Sequence, residues 1–177
     1  MALLVVAYPE LSKTDFDRIQ AYRQVHNELY YQVVAPHFIF VFPVFDWEPE
    51  AFVEEVEKQA WGISKFTFTL RSAVLNKDAF NDFYHAFLVP DEGYGRLIRL
   101  HDRMYAEKFL PQRALTIDFI PHIGIGNSQD PLACLAMVRE WNKDDFAIAS
   151  KISKLDIIRY QDDTTSSIQQ IMLDDLD

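Results

Sequence analysis

Two stretches of this chain repeat each other, Ala35-Pro36-His37-Phe38-Ile39-Phe40 and Ile120-Pro121-His122-Ile123-Gly124-Ile125. Each places a proline and a histidine at the start of an apolar run, a pattern typical of a strand. With eight prolines and five histidines among 177 residues, chance predicts only about 0.2 Pro-His pairs. Two pairs in matching contexts far exceed that number, so His37 and His122 are the first candidates for chemistry.

The composition is that of a folded domain. With 177 residues, 49% of them hydrophobic and 14% aromatic, the chain is long enough to bury a sizeable core. We expect a single domain over residues 1–177 that consists of two closely packed lobes. The one cysteine, Cys134, cannot form an internal disulfide and is expected in the core.

Charge and hydropathy narrow the range of partners. A formal net charge of −10 disfavours double-stranded DNA and other polyanions, but a small phosphodiester could still be held by a few local cations. The apolar run Leu3–Ala7 lacks the basic flank of a signal peptide and soon meets Pro9. No apolar run approaches the ~18 residues of a membrane span. We therefore expect a cytoplasmic protein that binds no membrane.

Alternating and helical periodicities predict an α+β fold with the element order β-α-β-α-β-β-α-β-α-β-β. Each Pro-His stretch lies in a strand between two helices, which suggests two lobes related by a pseudo-twofold axis. Besides the second Pro-His stretch, the predicted strands cover 3–8, 32–42, 66–70, 83–89, 152–160 and 167–173. The predicted helices begin at Ser12 or Thr14, at 46–49, at 94 (ending near 109) and at Asp130. The apolar stripe of the first helix is predicted to be Phe16, Ile19, Tyr22, Val25 and Leu29.

Strand geometry assigns the two histidines to faces. Because successive side chains alternate across a strand, His37 shares one face with Ile39 and Val41, and the phenylalanines between and after them belong to the core. By the same parity His122 shares a face with Gly124. If the lobes pack symmetrically, the two imidazoles face each other across a cleft.

A facing pair of imidazoles suits metal-free cleavage of a phosphodiester. The unperturbed pKa of histidine is about 6.5, so one ring can be neutral while the other is protonated. The neutral ring takes a proton from the attacking water and the charged ring gives one to the leaving oxygen, each role being worth roughly 10²- to 10⁴-fold in rate. The histidine spacing matches no zinc motif such as His-Glu-x-x-His. We expect neither a metal nor another cofactor.

At these motifs the chain resembles the two-histidine phosphoesterases, also called the 2'-5' RNA ligase or RNA 2',3'-cyclic phosphodiesterase superfamily. That family carries two His-x-Thr/Ser-x motifs in which x is usually apolar; Pro36–Pro43 is similar to the first and Phe119–Gly126 to the second. The resemblance extends over the whole chain through the order of its elements. It implies a bilobal fold of two antiparallel-rich sheets with flanking helices around a central cleft, in which His37 and His122 are the catalytic acid and base.

The chain departs from the family at both hydroxyl positions, which are Ile39 and Gly124 here. In the family those hydroxyls hold the phosphate oxygens, and removing one preorganised donor commonly costs about 10²- to 10³-fold in rate. Either other donors replace them, or the site binds a ligand without cleaving it. We expect the substrate to lie against Ile39 and Gly124, with basic replacements drawn from Lys65, Arg71, Arg96, Arg99 and Arg103, of which Arg71, Arg99 and Arg103 are our candidates. The three helical arginines could equally form a solvated face.

Two functions therefore stand beside each other. The resemblance implies an enzyme that hydrolyses a cyclic phosphodiester, either an RNA 2',3'-cyclic phosphate end or a small cyclic nucleotide. The alternative is a degenerate member that binds a nucleotide or RNA fragment without turnover, and a third possibility is an unrelated α+β protein whose Pro-His strands coincide. The other histidines are predicted to be structural, with His26 and His101 partly exposed and His85 hydrogen-bonded in a sheet, and Asp118 is a candidate to orient His122.

Overall fold

The structure is a computed structural model that describes residues 1–175. These residues form eight strands: β1 (Ala2–Ala7), β2 (Phe38–Val44), β3 (Phe66–Lys77), β4 (Tyr84–Glu92), β5 (Ile123–Ser128), β6 (Ile148–Ile152), β7 (Lys154–Gln161) and β8 (Thr164–Met172). They also form four α-helices: α1 (Lys13–His26), α2 (Pro49–Ala60), α3 (Tyr94–Met104) and α4 (Pro131–Trp141). A short 3-10 helix spans Glu107–Gln112.

The strands form two antiparallel sheets of four strands each. The first sheet has the order β2-β1-β7-β8 and the second has the order β5-β4-β3-β6. The strands that follow the two histidines, β2 and β5, therefore each lie at the edge of a sheet, next to the strand that precedes them in the same sheet. The predicted α+β class with two antiparallel sheets is confirmed.

The helices cross between the sheets. α1 leaves β1 of the first sheet but packs against β5 of the second, and α3 leaves β4 of the second sheet and packs against β2 of the first. α2 contacts the first sheet, and α4 contacts three strands of the second. Each histidine-bearing edge strand is thus covered by the helix that leads into the other one. The two halves of the molecule thus exchange helices in the same way, as a pseudo-twofold axis between them requires.

Several predicted strands have different bounds in the structure; β3, for example, runs to Lys77 rather than ending at Leu70. Residues 28–33 form turns, so β2 begins at Phe38 rather than at Gln32. The cause is local: the Asn27 side chain accepts a hydrogen bond from the backbone N–H of Tyr30 (3.1 Å) and closes a turn after α1. The strand predicted over 152–160 is β7, whereas β6, which precedes it across Ser153 and belongs to the other sheet, is absent from the prediction.

The helix starts follow from their capping residues. The Ser12 hydroxyl accepts the N–H of Asp15 (3.1 Å) and the Asp130 carboxylate accepts that of Leu132 (2.9 Å), so Ser12 and not Thr14 caps α1. α3 follows Gly93, whose φ of 79° places a would-be Cβ 2.6 Å from the Thr67 carbonyl oxygen. Only glycine fits that position without strain. α3 ends at Met104, earlier than predicted, and the chain continues as the 3-10 helix.

β2 changes face part-way along its length. Phe38 and Phe40 are fully buried in the core, as predicted. Pairing with β1 then slips, and Val41 joins the core while Phe42 stays half-buried, contrary to strict alternation. Ile39 keeps its predicted place on the opposite face, in a small cluster with Ala2, Leu4, Val6, Tyr8, Ile158 and Tyr160.

Candidate active site

The two histidines are held in the same way. His37 precedes β2, and its Nδ1 lies 2.8 Å from the carbonyl oxygen of Ala35. His122 precedes β5, and its Nδ1 lies 2.6 Å from the carbonyl oxygen of Ile120. A carbonyl oxygen can only accept, so this partner assigns the hydrogen of each neutral ring to Nδ1. Both Nε2 atoms therefore carry a free lone pair.

Burial controls the charge of both rings. It lowers the pKa of His37 to about 4, against a smaller rise from the bond to Ala35, and the positive charge of Arg23 lowers it further. Burial also lowers the pKa of His122 to about 4, with smaller lowering by the charges of His37 and His85. Both rings keep some solvent access and are neutral near pH 7. The His37 ring is therefore near enough for its charge to act on the pKa of His122.

The second histidine lies at one end of a column of stacked aromatic rings. Phe87 of β4 stacks on His122 with 3.5 Å between centroids and an angle of 14° between the planes. His85 continues the column at 5.5 Å from Phe87, and Tyr30 follows at 6.3 Å from His85. These contacts restrict the imidazole of His122 to one plane.

The first histidine has one aromatic neighbour, Tyr8, at the end of β1. The Tyr8 ring centroid lies 6.2 Å from that of His37, with the planes tilted by 58°. Burial and the negative charge of Asp156 raise the pKa of Tyr8 to about 12. The phenol therefore keeps its proton, and its ability to donate a hydrogen bond, throughout the physiological range.

The two positions that lack hydroxyls differ in their surroundings. Ile39 packs into the apolar cluster beneath His37, so its side chain is held by neighbours on the sheet. Gly124 faces open space, because a Cβ built there meets no heavy atom within 4 Å. The second motif thus has room beside His122 for a ligand atom or a larger side chain.

The predicted basic residues have other partners. Arg71 forms ion pairs with Asp91 (2.8 Å) and Glu92 (2.9 Å), and Arg103 donates to the Trp61 carbonyl. Arg99 lines a cavity of about 550 Å³ at the start of α3, with Lys65, Arg96 and Lys151 among its other lining residues. Within residues 1–175, none of the three candidates Arg71, Arg99 and Arg103 shares a hydrogen bond with His37 or His122, and neither histidine lines the cavity at Arg99.

A family model described as the 2'-5' RNA ligase superfamily matches residues 9–164. The chain belongs to the 2'-5' RNA ligase superfamily. No curated protein matches it in sequence. The two-histidine phosphoesterase fold expected from the motifs is confirmed by this match and by the solved structures that follow.

Solved structures resemble the chain over nearly its whole length. They include TT0787 of Thermus thermophilus (TM-score 0.62, 10% identity, 98% of each chain) and E. coli LigT complexed with 3'-AMP (TM-score 0.62, 13% identity, 97% of each chain). Kluyveromyces marxianus Usb1 is also similar (TM-score 0.55, 8% identity, 94% of this chain and 96% of that one). At such identities the likeness shows the fold alone.

In this superfamily member the other histidines have structural surroundings. His85 is bonded to the Asp78 carboxylate (2.8 Å) inside the sheet, as the sequence predicts. His101 is buried and stacks on Phe119 at 3.6 Å, so the prediction of partial exposure is wrong for it. Asp118 is exposed and does not orient His122, because the Ile120 carbonyl already holds Nδ1.

Sequence reasoning missed two buried polar residues, Arg23 in α1 and Asn27, which caps the end of that helix; they are 1% and 3% exposed. The predicted apolar stripe included Val25, which is 75% exposed. The buried stripe instead runs through Ile19, Arg23 and Asn27, at intervals of four residues. The available signal was this spacing: Arg23 and Asn27 lie four and eight residues after the buried Ile19, which places them on the same face of the helix.

Two general findings complete the site. No set of three histidine, cysteine, aspartate or glutamate side chains within the described range 1–175 is placed to hold a metal ion. Over the same residues, no helix has the length and apolarity needed to cross a membrane. Cys134 is buried, as predicted, and its thiol lies 3.1 Å from the Tyr84 carbonyl oxygen.

Proposed function

We propose that this protein is a metal-independent phosphoesterase that hydrolyses a cyclic phosphodiester, with His37 and His122 as its acid-base pair. The proposed substrate is an RNA end with a 2',3'-cyclic phosphate or a small cyclic nucleotide. The observation that carries the proposal is the matched bonding of the rings, in which both Nδ1 atoms are bound to backbone carbonyls. Each Nε2 is thereby left free to take or give a proton at the substrate.

The reaction needs one proton taken and one proton given. One Nε2 accepts a proton from a water molecule while the water oxygen bonds to phosphorus, and the bond from phosphorus to one ribose oxygen breaks. The other imidazole, protonated, gives its proton to that leaving oxygen. Which histidine fills which role is left open, because a coupled pair titrates as a unit.

The substrate supplies the charge that makes the acid possible. In the free protein both rings are neutral near pH 7, since burial lowers the pKa of each to about 4. A cyclic phosphodiester carries one negative charge, and an anion within about 4–6 Å favours the protonated form of an imidazole. Substrate binding would therefore raise the pKa of the nearer histidine, so that this imidazole becomes protonated.

The missing motif hydroxyls need a replacement at the phosphate. We assign this role to the Tyr8 phenol on the first side, because its ring lies 6.2 Å from that of His37 and its pKa of about 12 keeps it a donor. On the second side Gly124 offers space rather than a donor. Arg71, Arg99 and Arg103 stay candidates for more distant phosphates of a longer ligand.

The alternative function is nucleotide binding without turnover. Two features favour it: neither motif has a hydroxyl, and both imidazoles are neutral in the free protein. Solved structures of E. coli LigT contain 3'-AMP, ATP and NADP+, so nucleotides occupy at least one protein of this fold. Arg71, Arg99 and Arg103 would then matter more than the histidines.

A metal-free turnover assay separates the two functions. Purified protein in chelator near pH 7 is given 2',3'-cyclic mononucleotides and short RNAs with cyclic-phosphate ends, beside His37→Ala and His122→Ala. His26→Ala, a histidine on α1 outside both motifs, is the matched control. The enzyme predicts turnover that both motif variants lose by at least roughly 10²-fold and the control keeps. Ligand binding with no turnover by the wild-type protein would favour the binder.

A further inference from the structure

The last turn of α1 contacts the segments that carry both histidines. Arg23 lies at one end of this turn, and Asn27 caps the other. They are spaced four residues apart, so their side chains leave the same side of the helix. Both are buried polar groups, at 1% and 3% exposure, in a helix whose neighbouring position Val25 is open to solvent.

Arg23 holds the segment that leads to His37. Its Nη2 donates to the carbonyl oxygens of Val34 (2.7 Å) and Tyr30 (3.2 Å), and its Nη1 donates to Gln20 (2.6 Å). Val34 is followed directly by Ala35, whose carbonyl fixes the His37 ring. The guanidinium is therefore one peptide unit away from the bond that orients the first imidazole.

Asn27 holds the strand that follows His122. Its Oδ1 accepts from Asn127 Nδ2 of β5 (2.6 Å) and from the backbone N–H of Tyr30 (3.1 Å), and its Nδ2 lies 3.5 Å from the Gly124 carbonyl oxygen. Gly124 is two residues beyond His122. The same amide therefore joins the second motif to the turn that Arg23 holds.

We infer that Arg23 and Asn27 form a brace that sets the position of the two imidazoles relative to each other, and that they are positioning residues of the reaction proposed above. The inference rests on that proposed function. The strands that follow His37 and His122 belong to different sheets, and the brace connects them through side chains of one helix turn. Catalysis between two groups depends steeply on their separation, since a displacement of about 1 Å can cost roughly 10²-fold in rate.

The chemistry of Arg23 supports a role beyond packing. Within residues 1–175 its guanidinium has no carboxylate partner, and its Nε has no hydrogen-bond partner. An unpaired cation in a protein interior is costly, and an apolar side chain of similar volume is usually tolerated as well or better. Burial accordingly lowers the pKa of Arg23 to about 10. The Arg23 side chain fixes the carbonyls of Tyr30 and Val34 and places a positive charge near His37, and these effects offset the cost of its burial.

The test compares three variants with a matched control. Arg23→Met and Asn27→Ala each remove one end of the brace, and the third variant combines them. Val25→Ala is the control, because Val25 lies between Arg23 and Asn27 on the same helix turn and is 75% exposed. Arg23→Lys keeps the charge without the paired carbonyl bonds, and it serves if Arg23→Met fails to fold.

We expect kcat to fall about 10- to 100-fold in each single variant while KM changes little, because the brace orients the reacting groups rather than binding the substrate. A brace acts in series, so the double variant should be no slower than the slower single variant. Val25→Ala should keep wild-type kcat. Additive losses, or kcat unchanged in folded Arg23→Met and Asn27→Ala, would overturn the inference.

A second readout needs no turnover and so separates this inference from the proposed function. NMR of the imidazole nitrogens in the ligand-free protein reports the tautomer and pKa of each histidine. The charged and titratable groups around the pair are Arg23 and Tyr8 near His37, Asp156, whose charge acts on Tyr8, and His85 beyond Phe87, whose charge acts on His122 as that of His37 also does. Arg23→Met should raise the pKa of His37 and mix its tautomers, whereas Arg23→Lys should mix the tautomers with a smaller pKa change. Identical histidine spectra in the wild-type protein and the folded Arg23→Met variant would refute the brace even if the wild-type protein cleaves nothing.

Discussion

Gly124→Thr restores the side chain that the superfamily's second motif has and this chain lacks. A Cβ at position 124 meets no heavy atom within 4 Å, and the backbone there is outside the left-handed region, so a β-carbon can be added without moving its neighbours. Replacing an interior strand glycine by a β-branched residue should stabilise the protein by about 0.5–1 kcal/mol. Since one preorganised donor is worth about 10²- to 10³-fold, the restored hydroxyl should raise kcat/KM by at least roughly tenfold.

The control is Gly124→Val, which has nearly the same shape and no hydroxyl. Initial rates with a 2',3'-cyclic nucleotide and the midpoint of urea unfolding are measured for the wild-type protein and both variants. Both variants should show the same gain in stability, and only Gly124→Thr should show the gain in rate. A valine variant as fast as the threonine variant, or a folded Gly124→Thr slower than wild type, would refute the placement of this residue at the phosphate.

Two further predictions concern stability. Burial holds the pKa of His37 and His122 near 4, below the unfolded value of about 6.5, so the stability they contribute is complete above about pH 6.5 and is lost as the pH falls towards 4. Between pH 7.5 and pH 4.5, the free energy of unfolding measured with urea should fall by an amount on the order of 2 kcal/mol per histidine, after allowance for the partial exposure of the rings. The His37→Gln variant should lose less stability over the same interval. An equal loss in the variant would contradict this prediction. Gly93→Ala should lower the free energy of unfolding by more than about 2 kcal/mol, because a clash with the Thr67 carbonyl adds to the cost of the positive φ. Gly62→Ala, where φ is 72° and the surrounding space is open, should lower it by about 1 kcal/mol. Equal thermal shifts for the two glycine variants would mean that the close approach to Thr67 is not what constrains Gly93.

The fold was accessible from the sequence because its signals are local. The Pro-His stretches start strands, Asp130-Pro131 starts a helix, and alternation or helical spacing identifies most elements. The errors lie where a tertiary contact decides. Strand β2 starts six residues late because the Asn27 side chain closes a turn, and the bulge after Phe40 moves Val41 into the core against the alternation.

The site was accessible only in part, for a similar reason. Matching motifs pointed to His37 and His122, but the partners that orient them are backbone carbonyls two residues away, which carry no side-chain signal. The arginine stripe on α3 was a reasonable source of phosphate ligands, yet Arg103 bonds the Trp61 carbonyl and Arg99 lines a separate cavity. Arg23 was overlooked because charged residues in helices are usually exposed.

The exchange of helices between the sheets limits how the molecule can move. Bending one sheet away from the other would strip α1 from β5 and α3 from β2 at the same time, exposing apolar surface on both sides. Hinge opening of this kind is therefore costly, and we expect the spacing between the edge strands β2 and β5 to stay nearly constant. Under the proposed function, a phosphodiester therefore has to fit the spacing that β2 and β5 already have, rather than induce a wider one.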